Sequence, residues 1–123
     1  MPHHGAILRH ALVRDTPVLM MGIGNFSYLK ELAEQTKKRL TIIIYEPSLQ
    51  IFLKFLEMTD IRKWMEKHVI IFWVDGLDGM DEKNMQGMLG AVLRYEMLDH
   101  FKHFILPNYE TLFSEKAGQF FQV

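Results

Sequence analysis

An α/β fold built around a parallel sheet is predicted by the distribution of apolar residues along the 123-residue chain. Short apolar runs rich in branched and aromatic side chains indicate strands, and segments of helical periodicity separate them. The runs at 40–45 and 69–74 are almost continuously apolar, as in strands that are covered on both faces. The four predicted strands are Val18–Met21, Leu40–Tyr45, Val69–Val74 and Phe101–Leu106.

Three longer helices are predicted between these strands because apolar residues recur there at spacings of three and four. Asn25, Ser48 and Asp81 stand where these helices begin, and their side chains are good helix caps. A shorter helix at 61–68 follows Asp60, which is a further capping residue. The stripes expected to face the sheet are Phe26, Leu29, Leu32 and Ala33, then Leu49, Phe52, Leu53 and Leu56, then Met85, Leu89, Val92 and Leu93.

This alternation of strands and helices predicts a Rossmann-like architecture. Right-handed crossovers between parallel strands place helices on both faces of the sheet. We therefore expect three α/β/α layers with a mainly parallel sheet of four or five strands. A leading amphipathic segment at 1–16 and a C-terminal helix within 108–123, from about Ser114, lie outside this core. One domain is expected to span 1–123, since the length leaves no room for a second.

Composition and charge exclude several classes of protein. A net charge of -1 provides no basic field for a nucleic acid backbone, so nucleic acid is not an expected partner. The longest apolar run, at 69–74, is far shorter than the roughly 20 residues of a membrane-spanning helix, so no membrane insertion is expected. The chain lacks cysteine and starts without a secretory signal pattern. We therefore expect a cytoplasmic protein.

The first candidate binding feature is a glycine turn directly after the first predicted strand. It contains Gly22 and Gly24 and is followed by Asn25, where the first helix begins. Glycines at this place let the backbone approach a ligand, and the free N–H groups that follow can bind an anion. The alternative is a tight strand-to-helix turn without a ligand, and the third glycine of the dinucleotide pattern is absent.

The second candidate is Glu46, at the end of the second strand. It follows Gly24 at close to the spacing of about 20 residues at which an acidic residue binds ribose hydroxyls. The pair predicts a nucleoside-type ligand. The alternative is a solvated strand end at which Glu46 only caps or solvates the following helix. As a change at a strand tip, Glu46→Ala is expected to cost under about 0.5 kcal/mol of stability and to abolish any nucleoside binding.

Asp75 and Asp78 follow the third strand and complete the candidate ligand-binding residues. Both belong to an Asp-Gly-Leu-Asp-Gly loop at the edge of the sheet where open parallel sheets bind ligands. The loop does not match a calcium-binding loop, and a solvated turn is the alternative. No serine nucleophile elbow, zinc-binding His-Glu motif or phosphate loop occurs, so we expect no catalytic residues and no metal site.

Three short motifs resemble the motility accessory factor family of flagellin glycosyltransferases. They are the glycine turn, the Ile42–Pro47 strand that ends in Glu-Pro, and the segment 106–113 with its Pro-Asn-Tyr sequence. Their order resembles the N-terminal Rossmann-like domain of that family over residues 17 to about 121. In the family, a separate central domain transfers nonulosonic acids such as pseudaminic acid onto flagellin, and that domain is missing here. The resemblance implies an accessory or interaction domain that positions a catalytic domain or a protein partner.

The glycine turn and Glu46 also resemble motifs of S-adenosylmethionine-dependent methyltransferases. The acidic residue usual before the glycine turn of that family is Met20 or Met21 here. A small methyltransferase-like, nucleoside-binding protein is therefore the alternative function, with either S-adenosylmethionine or a nucleotide sugar as the ligand. A four-stranded sheet also has two edges to cover, so the chain either forms a homodimer or was cut from a longer protein.

Overall fold

The computed structural model of the protein describes residues 18–24, 30–31, 39–95 and 102–123. The predicted leading segment at 1–16, Asn25 and most of the first predicted helix lie outside these residues. The described elements, in chain order, are β1 (Val18–Met21), β2 (Thr41–Glu46), α1 (Leu49–Met58), α2 (Arg62–Lys67), β3 (Val69–Val74), a 3-10 turn (Glu82–Asn84), α3 (Met85–Tyr95), β4 (Lys102–Ile105), α4 (Tyr109–Leu112) and α5 (Ser114–Phe121).

The four described strands form one all-parallel sheet in the order β3-β2-β1-β4. This confirms the predicted Rossmann-like α/β fold with a parallel sheet. The chain proceeds from β1 outward to β3 and then returns to the other side of β1, so the strand order reverses between β1 and β4. In open sheets of this kind, a ligand crevice lies at that reversal, at the carboxyl ends of the strands. The three-layer arrangement stays a prediction, because most of the segment between β1 and β2 lies outside the described residues.

Helix α1 begins as predicted, because the Ser48 hydroxyl oxygen accepts a hydrogen bond from the Ile51 backbone N–H at 3.3 Å. The predicted stripe of this helix is partly wrong. Phe52 is buried as predicted, but Leu53 and Leu56 are exposed, and Phe55 is buried in their place, with both phenylalanine rings against Phe72 of β3. The apolar residues of this helix could place either of two neighbouring faces against the sheet. The face that carries the two large aromatic rings is the buried one.

The predicted C-terminal helix from about Ser114 is confirmed as α5, and a further short helix, α4, precedes it and is separated from it at Phe113. Asn108 precedes α4 in a left-handed conformation with φ 76°. Phe120 of α5 is fully buried, and its ring stacks on Tyr45 of β2 with centroids 6.1 Å apart. The segment after β4 therefore turns back over the body of the domain. No described helix is long and apolar enough to cross a membrane.

Candidate functional site

Four segments meet at the carboxyl edge of the sheet. The glycine turn follows β1, Glu46 ends β2, and the Asp75 loop follows β3. Segment 106–113, which follows β4, crosses to the glycine turn, and there the Gly24 N–H donates a hydrogen bond to the Tyr109 hydroxyl. The crevice predicted from the strand order is thus bounded by the chain's own return segment.

Glu46 is fully buried, and both of its carboxylate oxygens are hydrogen-bonded within the chain. Oε1 accepts hydrogen bonds from the Ile23 N–H at 2.9 Å and from the Tyr109 hydroxyl at 2.5 Å. Oε2 accepts a hydrogen bond from the Ser48 N–H at 2.9 Å. The expectation of a solvated strand tip is therefore wrong, because the side chain turns inward and joins three segments.

Tyr109 accounts for the glycine at position 22. A Cβ atom on Gly22 would lie 2.8 Å from two ring atoms of Tyr109, and the backbone there has φ +103°. At Gly24, with φ +60°, an added Cβ would lie 3.0 Å from a methyl group of Leu106. The two glycines make room for residues of segment 106–113, so the turn is filled from within the chain.

Burial has the largest effect on the pKa values of Glu46 and Tyr109. It raises the pKa of Glu46 above 4.5, and Asp75 adds to the rise, while the hydrogen bonds from Tyr109, Ile23 and Ser48 oppose it. The pKa of Tyr109 is also raised, first by burial and then by its hydrogen bond to Glu46. The Tyr109 hydroxyl therefore stays protonated at neutral pH and is the donor to the carboxylate.

Asp75 lies in a second polar cluster beside the first. It is buried, its Oδ2 accepts a hydrogen bond from the Tyr45 hydroxyl at 2.5 Å, and the Lys116 ammonium lies 3.4 Å from the same oxygen. The Asp75 N–H donates to the Glu46 carbonyl at 3.1 Å, which holds the ends of β2 and β3 together. Asp75 thus links the sheet to α5 through Lys116.

Two surface depressions flank these clusters. A wide groove of about 810 Å³ contains Asp75 and Asp78, and an apolar cleft of about 350 Å³ contains Gly24. Glu46 lines neither of them. The cleft is lined by Gly24, Ile51, Leu106, Pro107, Asn108, Tyr109 and Leu112.

The structure therefore brings together Gly22, Gly24 and Glu46, and places Asp75 next to them. Asp78 lies with Asp75 in the wide groove, away from the glycine turn, and Asn25 lies outside the described residues. Tyr109 and Leu106 were not predicted as site residues, although both belong to the Pro-Asn-Tyr segment that carries the resemblance. Among residues 18–24, 30–31, 39–95 and 102–123, no group of three or more histidine or acidic side chains is placed to hold a metal ion.

Comparison with protein-family models, curated proteins and solved structures finds no match for this chain.

Proposed function

We propose that the chain is an accessory or interaction domain without catalytic chemistry of its own, of the type found at the N-terminus of motility accessory factor glycosyltransferases. The observation that carries the proposal is the contact of Tyr109 with Glu46. It occupies the crevice and uses the acidic side chain that a nucleoside would need. The domain would position a catalytic domain or a protein partner in the cytoplasm.

The outer side of α1 supports an interaction role. Leu53 and Leu56 stand three residues apart, so they are neighbours on the helix surface, and they are 47% and 42% exposed. Contiguous exposed apolar patches mark protein contact surfaces, and this pair places two such side chains side by side on α1. We take this pair as the docking surface of the proposal.

The alternative is a methyltransferase-like protein that binds S-adenosylmethionine or a nucleotide sugar. For Glu46 to bind ribose hydroxyls in that case, Tyr109 would have to give up its hydrogen bonds and move away, because the Glu46 side chain is fully buried. Losing such bonds at a buried site costs free energy that the ligand would have to repay. The geometry therefore favours the accessory domain.

The proposed function is tested by calorimetric titration of this chain against the isolated central domain of a motility accessory factor glycosyltransferase. We expect saturable binding that the double replacement of Leu53 and Leu56 by Glu weakens at least tenfold. The matched control is Gln119→Glu, which adds an acidic side chain at an exposed position of α5 and should bind like the wild type. Absence of binding by the wild-type chain, or equal binding by the double variant, would contradict the proposal.

A further inference from the structure

The flap, residues 106–113, joins β4 to α5 across the glycine turn. We propose that the flap is a conformational cover that opens while the sheet and α5 stay folded, and that opening exposes the Gly24 N–H and the Glu46 carboxylate at the crevice. This inference goes beyond the proposed function, since it concerns access to the crevice whatever the partner of the domain is.

Both ends of the flap are anchored. At its start, the Leu106 N–H donates to the Met21 carbonyl at 3.0 Å and so continues the pairing of β4 with β1. Beyond its end, Phe120 is fully buried on Tyr45, and Lys116 lies against Asp75. These anchors allow the flap to move without release of α5.

Between the anchors, Tyr109 carries the polar attachment of the flap to the body of the domain. Its hydroxyl donates to Glu46 and accepts from the Gly24 N–H. The Glu46 carboxylate keeps its bonds to Ile23 and Ser48 without Tyr109, because both of those donors lie outside the flap. Release of this one side chain therefore removes the polar attachment of the flap and leaves the other hydrogen bonds of Glu46 in place.

The apolar cleft lies along the seam between the flap and the body. Gly24 and Ile51 line it from the body, and Pro107 and Leu112 line it from the flap. A gap of about 350 Å³ means that these facing side chains do not pack fully against each other. Leu112 accordingly remains 71% exposed. The flap is thus held along the side of Leu106, Tyr109 and the partly buried Phe113, and the side of Leu112 is open.

The conformation at the start of α4 adds a strained position inside the flap. Asn108 has φ 76°, a left-handed conformation that is unfavourable for residues with a side chain, although asparagine tolerates it better than most. Opening of the flap lets this residue relax. A rarely populated open state also reduces the apparent affinity of any crevice ligand by the open fraction.

Native-state hydrogen exchange of the whole chain tests the proposal. The Gly24 amide is bonded to Tyr109, and the Leu112 and Phe113 amides are bonded within the flap. A single helical turn is unstable once it leaves the body of the domain, so we expect α4 to unwind in the open state. These three amides should then share one opening free energy that depends little on denaturant. The Gly22 amide, bonded to the Tyr45 carbonyl in the sheet, should exchange only by global unfolding and depend steeply on denaturant.

A conservative core variant separates flap opening from global unfolding. Ile43→Val removes one methylene group from the buried sheet, where such a change accelerates globally exchanging amides by roughly 2- to 12-fold. We expect this acceleration at Gly22 and unchanged exchange at Gly24, Leu112 and Phe113. If the amides of Gly24, Leu112 and Phe113 follow Gly22 in this variant, or share its denaturant dependence in the wild type, the flap opens only with the whole domain and the proposal is wrong.

Discussion

The hydroxyl of Tyr109 donates a hydrogen bond to the carboxylate of Glu46 across 63 positions of the sequence. The contact closes the crevice that the strand order creates at the carboxyl ends of β1 and β4. Glu46 therefore stabilises the fold from the position at which nucleotide-binding Rossmann folds carry the acidic residue that binds ribose. The stability and the ligand properties of the domain should both follow from this one contact.

Replacement of Glu46 by alanine should destabilise the domain by about 3 kcal/mol or more, because it leaves the Ile23 N–H, the Ser48 N–H and the Tyr109 hydroxyl without their acceptor. Urea unfolding monitored by circular dichroism measures the loss. Asp78→Ala, at an exposed acidic residue, is the matched control and should change stability by less than about 0.5 kcal/mol. A loss below 1 kcal/mol for Glu46→Ala would show that the buried network contributes little.

Gly22→Ala should cost more than the same change at another glycine with positive φ. At Gly22 the new methyl group meets the Tyr109 ring at 2.8 Å, whereas at Gly79, with φ +76°, it meets nothing within 4 Å. Gly79→Ala therefore measures the conformational cost alone, about 1–2 kcal/mol, and Gly22→Ala should add a further 1–3 kcal/mol of overpacking.

A double-mutant cycle with Tyr109→Ala assigns that extra cost. Removal of the ring should lower the cost of Gly22→Ala to about that of Gly79→Ala, with a coupling energy of at least about 1 kcal/mol. Additive effects of the two changes would mean that Tyr109 is not what requires glycine at position 22.

Stability should fall as the pH rises through the titration of Glu46. Burial raises the pKa of Glu46 in the folded state above 4.5. Between pH 4.5 and this higher folded-state pKa, the native protein therefore binds more protons than the unfolded chain. This contribution is fully present below pH 4.5 and is lost as the pH rises through the folded pKa. Measured by urea unfolding across this range, the stability of the wild type relative to Glu46→Gln should decrease with rising pH. An increase over the same range would mean that the hydrogen bonds to the carboxylate outweigh burial.

The sheet could be predicted from sequence because buried parallel strands carry a local signal. The bounds of β1 and β3 agree with the apolar runs, and β2 begins and ends one residue later than predicted. The buried side of α1 could not be predicted in the same way, because Leu53 and Phe55 are equally apolar and only the contact with Phe72 decides between them.

No local pattern in the sequence predicts that the crevice is closed. Glu46 is an acidic residue at a strand end, for which exposure is the ordinary expectation. Its burial depends on Tyr109, which comes from a distant part of the chain and approaches only because residue 22 lacks a side chain. The glycine turn is equally typical of a turn that holds a ligand and of a turn that holds a tyrosine, so sequence left both open.

The most direct test of the closed crevice is thermal unfolding of the wild-type chain with S-adenosylmethionine or a cytidine-monophosphate sugar in large excess. A ligand present at about 100 times its dissociation constant adds roughly 2.7 kcal/mol of stability, which raises Tm by several degrees for a domain of this size. We predict no shift with either compound, since Glu46 is fully buried and is hydrogen-bonded to Tyr109 and to backbone donors. A reproducible rise in Tm that Glu46→Gln abolishes would contradict this prediction and would establish a nucleoside site at the glycine turn.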